Sequence, residues 1–359
     1  MWLSPIKSLR PGALACAWAL PVAALALWSG AALGASARQP RSSSSVRTGG
    51  GINFTIVTPG GQVRVHHGSA RRGARFLGWS QTGSYFAYDL GFNSRGRQKV
   101  IIAATDGSSE VTVAHLGEHD TPGDLTWAPD DQIVAYHPWK GDSVTIVAPR
   151  DGVPVPGLQQ LRGQPVGWTA KAAELVLFEN FTAPDFGGDL VARSPSSGVG
   201  RTVASGVHYA VVSPDGTRVA WIPAGGSDRM GPTVISDLGT GAETSRTLGV
   251  SPIQWRRSDQ LLVNKQNAVW LWDPALPLSR AVFLFLSRNN IDVAASGLSA
   301  VRLTPSAADW RVRPRRVVSL TLPGKVVTAQ FIWQSAHPLS LTTPSPDGQL
   351  IALWTDMFE

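Results

Sequence analysis

Residues 213–221 read SPDGTRVAW, and residues 345–354 near the end of the chain read SPDGQLIALW. In both stretches a Ser-Pro-Asp-Gly tetrapeptide stands before a run of apolar residues. Proline fixes its own φ, aspartate bonds back to nearby backbone N–H groups and glycine accepts a positive φ, so the tetrapeptide predicts a tight turn. Because apolar residues also precede the first copy (AVV, 210–212), the pattern predicts a β-hairpin.

The same strand–turn–strand pattern recurs along the whole chain, with the first five copies 41 to 48 residues apart and a sixth clear copy 88 residues after the fifth. A degenerate copy falls midway between the last two clear ones. The aligned positions are Trp79, Trp127, Trp168, Val212, Trp255, Ala295 (degenerate) and Thr343. Repeats of this length that each supply several short strands are typical of β-propellers.

A second hairpin follows every copy except the last, after which the chain ends. The missing hairpin stands at the N-terminus instead, in residues 53–67 (NFTIVTPGGQVRVHH). We therefore predict an all-β fold, a seven-bladed β-propeller of four-stranded antiparallel blades. In this ring the N-terminal hairpin joins the C-terminal strands. Six blades are the alternative, if residues 289–334 are an insertion.

The two SPDG stretches resemble the repeat of TolB-like propellers, bacterial relatives of the WD-repeat propellers. Residues 127–130 (WAPD) match the same repeat in part. The resemblance covers residues 52–359 and implies the propeller fold. It also implies that Asp130, Asp215 and Asp347 form turns and are not catalytic acids. TolB resembles a six-bladed propeller with an extra N-terminal domain, so its partner is not carried over.

The N-terminal 37 residues have the pattern of a secretory signal peptide. Lys7 and Arg10 precede an uncharged segment with a continuous apolar run at 13–28, and Ala-Ser-Ala at 35–37 fits a cleavage site. The apolar segment is also long enough to remain as a membrane anchor. We expect a periplasmic or extracellular protein, in contact with a membrane only if the N-terminal segment stays uncleaved.

The rest of the chain divides into a linker and the propeller. Residues 38–51 are rich in Arg, Ser and Gly and predict a flexible linker. Residues 52–359 form the predicted propeller. Cys16 is the only cysteine and lies in the signal segment, so the mature domain has no disulfide or thiol chemistry. The net charge of +7 is spread out and does not indicate a nucleic-acid partner.

Known catalytic motifs are absent from the sequence, apart from one weak match. No nucleophile elbow, phosphate-binding loop or dinucleotide fingerprint occurs, and we predict no cofactor. Residues 115–119 (HLGEH) fit an inverted zinc-protease signature, but that chemistry requires a helix. The repeat register places this segment in a loop between blades.

A metal site built from residues of two neighbouring loops is the alternative. His66 and His67 are expected in the matching loop between blades 7 and 1, so His66, His67, His115, Glu118 and His119 should lie in one sector. Imidazole and carboxylate are common zinc ligands. The alternative function is therefore a metal-assisted or carbohydrate-acting enzyme that uses this sector.

The leading prediction is a non-enzymatic, monomeric scaffold that binds an envelope or extracellular protein, or a polysaccharide. The connections between the second and third strands of each repeat vary most and carry aromatic, Met and basic residues, the types that concentrate binding energy. The repeat tryptophans are assigned to packing between blades. The predicted binding residues are Phe92, Arg95, Trp139, Lys140, Phe181, Phe186, Met230, Trp310, Arg311 and Arg313.

Overall fold

The computed structural model describes residues 54–355, except 59–61, 68–72, 93–97, 117–121, 139–143, 154–156, 158–159, 171–172, 183–186, 226–230, 267, 287–290, 294–298, 305–315, 322–328 and 335–338. Within this part the chain is all-β, with a short 3-10 turn at Leu278–Arg280 and no α-helix. The strands form antiparallel sheets, which we name A to F.

Sheets A, B and C contain the N-terminal third of the chain and its C-terminal strands. Sheet A combines β1 (Phe54–Val57) and β2 (Val63–His67) with β26 (Leu339–Pro344) and β27 (Ile351–Thr355). Sheet B contains β3 (Gly73–Trp79), β4 (Tyr85–Phe92), β5 (Lys99–Ala104) and β6 (Glu110–His115). Sheet C contains β7 (Pro122–Trp127), β8 (Ile133–Pro138), β9 (Val144–Pro149) and β10 (Leu161–Arg162).

Sheet D has seven strands, whereas sheets E and F have four each. Sheet D contains β11 (Gln164–Trp168), β12 (Leu175–Thr182), β13 (Gly187–Arg193), β14 (Gly200–Val212), β15 (Arg218–Pro223), β16 (Thr233–Asp237) and β17 (Glu243–Thr247). Sheet E contains β18 (Ser251–Arg257), β19 (Gln260–Lys265), β20 (Ala268–Trp272) and β21 (Val282–Leu286). Sheet F contains β22 (Ile291–Val293), β23 (Ser299–Thr304), β24 (Arg316–Thr321) and β25 (Ala329–Gln334).

The chemistry of the turns explains the first hairpin of each repeat. The backbone N–H of Ser213 donates to the carbonyl of Arg218 at 2.9 Å, and that of Ser345 donates to Leu350 at 2.8 Å. These two serines are therefore equivalent. It follows that Pro344 is the counterpart of Val212, so the anchor predicted at Thr343 was one residue too early.

The aspartates of the Ser-Pro-Asp-Gly turns act within the turns, as predicted. The Asp215 carboxylate accepts the Ser213 hydroxyl at 2.6 Å and the Thr217 N–H at 3.2 Å. Although burial opposes it, these hydrogen bonds hold the pKa of Asp215 below its ordinary value. The Asp347 carboxylate accepts the Ser345 hydroxyl at 2.5 Å in the same way.

The hydrophobic core lies between successive sheets. One buried cluster joins sheets A and B and contains Phe54, Phe76, Phe86 and Ala352. Further clusters lie between B and C, between C and the first strands of D, and between the last strands of D and sheet E. Face-to-face packing of small sheets is the construction of a β-propeller.

The N-terminal hairpin joins the C-terminal strands, as predicted. β1 pairs antiparallel with β27, with Phe54 opposite Trp354 and Val57 opposite Ile351. The other side of β1 pairs with β2. Sheet A is thus built from both ends of the described chain, which is the closure that the missing last hairpin predicted.

Candidate functional site

The repeat tryptophans bind neighbouring sheets together. The Trp79 indole N–H donates to the carbonyl of Thr343 at 2.9 Å, and the Trp255 N–H donates to Val211 at 2.9 Å. Trp168 makes the corresponding contact with Thr126 at 3.4 Å. Trp127, Trp168 and Trp255 are buried. Their assignment to packing is confirmed, so they are not available to stack on a ligand.

The turn ends of sheets B and C are joined by a buried carboxylate. Asp131 accepts the backbone N–H of Gln81 at 2.8 Å and the Thr82 hydroxyl at 2.5 Å. Its φ of 57° lies in the left-handed region, because it occupies the place that Gly216 has in the Ser-Pro-Asp-Gly turn. The turns at this end of sheets B and C therefore contact each other.

A small cavity lies among these turns. Its volume is about 110 Å³, and its walls include Gln81, Trp127, Pro129, Gly167 and Ser213. Pockets for drug-sized ligands are roughly 300 Å³ or larger. The cavity suits a few water molecules, and the turn end is therefore a poor candidate for the main binding site.

The first strands of sheets B, C, D and E, together with β14 in the middle of sheet D, form a chain of contacts, as expected for strands around a common axis. β3 contacts β7, β7 contacts β11, and β14 contacts both β11 and β18. Most large apolar side chains on these strands are buried or half-buried. Tyr209 on β14 and Ile253 on β18 are exceptions, because they are 42% and 38% exposed.

Tyr209 and Ile253 lie side by side on the contacting strands β14 and β18. The Tyr209 hydroxyl lies 3.5 Å from the carbonyl oxygen of Ile253 and donates to it. Surrounding protein limits hydration of the phenol, and this burial raises the pKa of Tyr209 although the ring remains accessible. His208 and Gln254 beside them are also exposed. The result is an accessible aromatic and apolar surface flanked by hydrogen-bonding side chains, which is suited to noncovalent binding.

A buried ion pair lies at the opposite end of sheet B from its Gln81 turn. The Arg75 guanidinium contacts the Asp89 carboxylate at 2.9 Å, and Asp89 is fully buried. Burial raises the pKa of Asp89 to about 6, and the attraction of Arg75 only partly offsets this effect. The Oδ1 atom of Asp89 is buried and has no hydrogen-bond partner among the residues that the structure describes. We therefore expect Asp89 to make the stability of the domain depend on pH, and we do not assign it a catalytic role.

Most predicted binding residues lie outside the described part of the chain. Phe92 is the last residue of β4 and Phe181 lies within β12, so both belong to strands and not to the connections in which they were predicted. Each strand extends further than its polar surroundings indicated. The residues that lie outside the described ranges are Arg95, Trp139, Lys140, Phe186, Met230, Trp310, Arg311 and Arg313.

The predicted metal sector is only partly described. His66 and His67 are in β2, and His115 is the exposed last residue of β6, so these three histidines lie on strands and not in loops. Glu118 and His119 lie outside the described residues. Among the residues that the structure describes, no group of three His, Cys, Asp or Glu side chains could hold a metal ion.

His115 lies on a strand, whereas the first histidine of an inverted zinc-protease motif must lie on a helix.

Within the described ranges, the chain has no helix with the length and apolar character needed to cross a membrane.

Sequence reasoning missed two features of this region. The exposure of Tyr209 and Ile253 has no local signal, because each lies in a first strand whose pattern resembles that of its buried neighbours. The role of Asp131 could have been predicted, since Asp131 stands where the SPDG turn has glycine. An Asp at that place predicts a positive φ and a side chain with a special contact.

Comparisons with known proteins bear on the fold alone. No family model matches the chain, and no curated protein matches it in sequence. A solved oligogalacturonate lyase in complex with manganese is 12% identical, with a TM-score of 0.56 over 85% of this chain and 96% of that chain. The Cps50 (Swd1) β-propeller domain of Myceliophteria thermophila is 11% identical, with a TM-score of 0.52 over 79% and 96%.

TolB from Acinetobacter baumannii is also among the matches, at 12% identity and a TM-score of 0.45 over 80% of this chain and 64% of that chain. The chain is a β-propeller. The predicted β-propeller fold is confirmed by the likeness to the Swd1 β-propeller domain. At these identities the likeness does not extend to ligands or activity.

Proposed function

We propose that this chain is a non-enzymatic binding scaffold that works outside the cytoplasm and holds its partner at the axis of the propeller. The observation that carries the proposal is the accessible pair Tyr209 and Ile253 on adjacent first strands. Partly exposed aromatic and apolar side chains surrounded by polar groups are typical of the centres of binding surfaces.

We infer that the propeller has seven blades. Sheet D supports this count because side chains from its two halves pack in one buried cluster. Val176 and Leu190 on β12 and β13 share one buried cluster with Val207, Ala210 and Val219 on β14 and β15. Opposite ends of a single flat sheet have no such contact. The seven strands then form two four-stranded blades, β11–β14 and β14–β17. The strand β14, which has 13 residues, belongs to both blades.

The partner is proposed to be an envelope or extracellular protein, with a polysaccharide as the other option. Residues 1–37 act as the signal peptide, residues 38–51 as a linker and residues 52–359 as the propeller, which is monomeric. N-terminal sequencing of the protein from its own cell envelope tests this division. A mature terminus near residue 38 is expected, and an intact Met1 contradicts it.

Capture from an envelope fraction tests the binding surface. The Tyr209→Ala, Ile253→Ala double variant is expected to lose the captured partner and to keep the unfolding transition of the wild type. Val153→Ala is the matched control, because Val153 is 60% exposed in a turn between outer strands. Retention of the partner by the double variant would place binding elsewhere.

A metal-assisted enzyme is distinguished by measuring metal content and thermal stability. The scaffold proposal expects no bound zinc or manganese in the purified full chain and no rise in Tm when either is added. A stoichiometric metal that disappears in His115→Ala would favour the enzyme alternative.

A further inference from the structure

Two strands around the axis bulge and expose consecutive side chains. The pairing of β14 with β15 shifts register at His208, and the pairing of β18 with β19 shifts at Ile253. Residues 207–210 and residues 252–255 have the same order of burial, which is buried, exposed, exposed and buried. A regular strand turns successive side chains to opposite faces. Each bulge therefore exposes two neighbouring side chains together, and bulges are frequent next to active sites.

Bulges in two other strands around the axis do not have this effect. The pairing of β3 shifts at Leu77 and that of β11 at Val166, and both residues are half-buried. They are followed by Gly78 and Gly167, which have no side chain to expose. A Cβ on Gly167 would lie 2.5 Å from the Val212 Cβ, so a larger residue there would disturb the packing. Among these four bulges, those of β14 and β18 therefore expose a pair of side chains and the other two do not.

Neutral side chains surround the two exposed bulges. Residues 164–168 of β11, 202–212 of β14 and 251–255 of β18 contain no Asp, Glu, Lys or Arg, whereas the whole chain has 32 basic and 25 acidic residues. The exposed polar groups at the bulges are the imidazole of His208 and the carboxamide of Gln254. Both kinds of group donate and accept hydrogen bonds. A surface of this composition matches an uncharged ligand that carries hydroxyl groups.

One carboxylate approaches β14 from β13. Asp189 accepts the side-chain N–H of Asn180 at 2.9 Å and also a hydrogen bond from Ser205 on β14. These hydrogen bonds hold the pKa of Asp189 below its ordinary value. The charge is thus stabilised by donors of the protein itself, and it does not give the axial surface a preference for a cationic ligand.

The accessible apolar area is small for a protein partner. Among the described side chains of β3, β7, β11, β14 and β18, the large apolar ones that are exposed are Tyr209 and Ile253. A large aromatic side chain has roughly 150–250 Å² to bury, whereas a specific protein complex buries about 800 Å² on each partner. The two side chains therefore fit a slender ligand, and a single sugar ring is of that size.

The two bulges are held in place before a ligand arrives. The Tyr209 hydroxyl donates to the carbonyl of Ile253 at 3.5 Å and so links β14 to β18. The buried residues beside the exposed pairs include Val207, Ala210 and Trp255, which belong to the core clusters of sheets D and E. Side chains on an ordered backbone lose less conformational freedom when they bind than those on a mobile loop.

We propose that the axial surface binds a neutral polysaccharide. One sugar ring stacks on the ring of Tyr209, and its hydroxyl groups bond to His208 and Gln254. A sugar ring has C–H groups on its faces and hydroxyl groups at its edge, so it matches an aromatic ring with polar neighbours. The inference rests on the proposed binding at the axis, and it selects the polysaccharide from the two classes of partner named there.

Isothermal titration calorimetry with the full chain tests the chemistry of the ligand. The probes are cellohexaose and maltohexaose, each beside the same chain oxidised to carboxylates at every C6. We expect saturable binding of at least one neutral probe. Its oxidised counterpart is expected to bind roughly tenfold more weakly, which corresponds to about 1.4 kcal/mol, because residues 202–212 and 251–255 offer no cation. Failure of both neutral probes to bind, or equal binding of the oxidised counterpart, would overturn the proposal.

Variants locate the sugar. Tyr209→Ala is expected to weaken binding of the neutral probe at least about tenfold, whereas Tyr209→Phe keeps the ring and should stay within about threefold of the wild type. Gln254→Leu should weaken it roughly fivefold. Phe283→Ala is the matched control, because Phe283 is an aromatic residue that is 50% exposed on the outer strand β21. Full binding by Tyr209→Ala overturns the proposal, and if that variant does not fold, full binding by Gln254→Leu does so.

The outcome for the polysaccharide is separable from the outcome for the scaffold. If the Tyr209→Ala, Ile253→Ala variant loses its envelope partner while the wild type binds neither neutral probe, the axial scaffold stands and the polysaccharide is overturned. A captured partner that protease digestion of the envelope fraction removes is a protein, which also overturns it. Binding of a neutral probe that Tyr209→Ala abolishes supports the polysaccharide even if the double variant still captures a partner from the envelope.

Discussion

The carboxylate of Asp131 accepts the backbone N–H of Gln81 at 2.8 Å, although the two residues belong to different sheets. The same carboxylate accepts the backbone N–H of Thr82 at 3.3 Å and its hydroxyl at 2.5 Å. One buried carboxylate therefore accepts two backbone N–H groups in the turn of a neighbouring hairpin. Contacts of this kind link sheets that share few backbone hydrogen bonds.

Asp131→Gly, which adopts the left-handed φ without strain, is expected to destabilise the domain by about 2–3 kcal/mol, because it leaves two backbone donors at a sheet interface without their carboxylate acceptor. Asp130→Ala is the matched control. The Asp130 carboxylate accepts the N–H of Gln132 within its own turn, so its loss should cost about 1 kcal/mol or less. Urea unfolding measures both values. Equal losses for the two variants would contradict a role in joining sheets.

Gly216 tests the close approach of two turns. Its φ is +67°, and an added Cβ would overlap the backbone of Thr169 and Ala170. Gly107 has a similar φ of +79°, with open space around it. Gly107→Ala should therefore cost about 1–2 kcal/mol for the backbone alone. Gly216→Ala should cost about 1–3 kcal/mol more, because of overpacking.

The difference between these two alanine variants, measured by urea unfolding, isolates packing between turns from backbone conformation. A difference near zero would mean that the turns separate without cost.

Local chemistry made the turns and the repeat predictable. Ser213 and Asp215 form the bonds that their tetrapeptide indicates in isolation, and the position of the N-terminal hairpin followed from counting repeats. The continuous strand β14 was not predictable in this way. Gly206 at φ +62° lies within it, where the sequence indicates a loop between two blades. Strand pairing on both sides of that segment overrides its local preference.

The candidate site was less predictable than the fold. The exposure of Tyr209 depends on the distance of β14 from the axis of the propeller. The alternation of residues along a strand does not predict that distance. Function depends on such placements, whereas the fold depends on repeated local patterns.

Phe54 tests closure of the ring through the N-terminal hairpin. It is almost fully buried and contacts the rings of Phe76, Phe86 and Tyr88 from the neighbouring sheet. Phe54→Ala is expected to cost about 3–5 kcal/mol of unfolding free energy, as for other buried phenylalanines. Val153→Ala, at an exposed position, should stay within about 0.5 kcal/mol of the wild type. A small effect at Phe54 in calorimetry would mean that the hairpin is dispensable.

Asp89 predicts how stability changes with pH. Its pKa is about 6 in the folded chain, against about 3.9 in an unfolded one, so the folded state binds the proton more tightly. Its contribution to stability is therefore full below the unfolded pKa and is lost as the pH rises through 6.

Between pH 7 and pH 5 the wild type should gain about 1 kcal/mol from this group. Asp89→Asn cannot bind the proton, so this part of the gain should be missing from the variant. Unfolding in urea at both pH values gives the comparison. Arg75→Lys serves as the second variant, because it keeps a positive charge beside the carboxylate and should retain a pH-dependent gain of the same sign. A gain in Asp89→Asn equal to that of the wild type would assign the pH dependence to other groups.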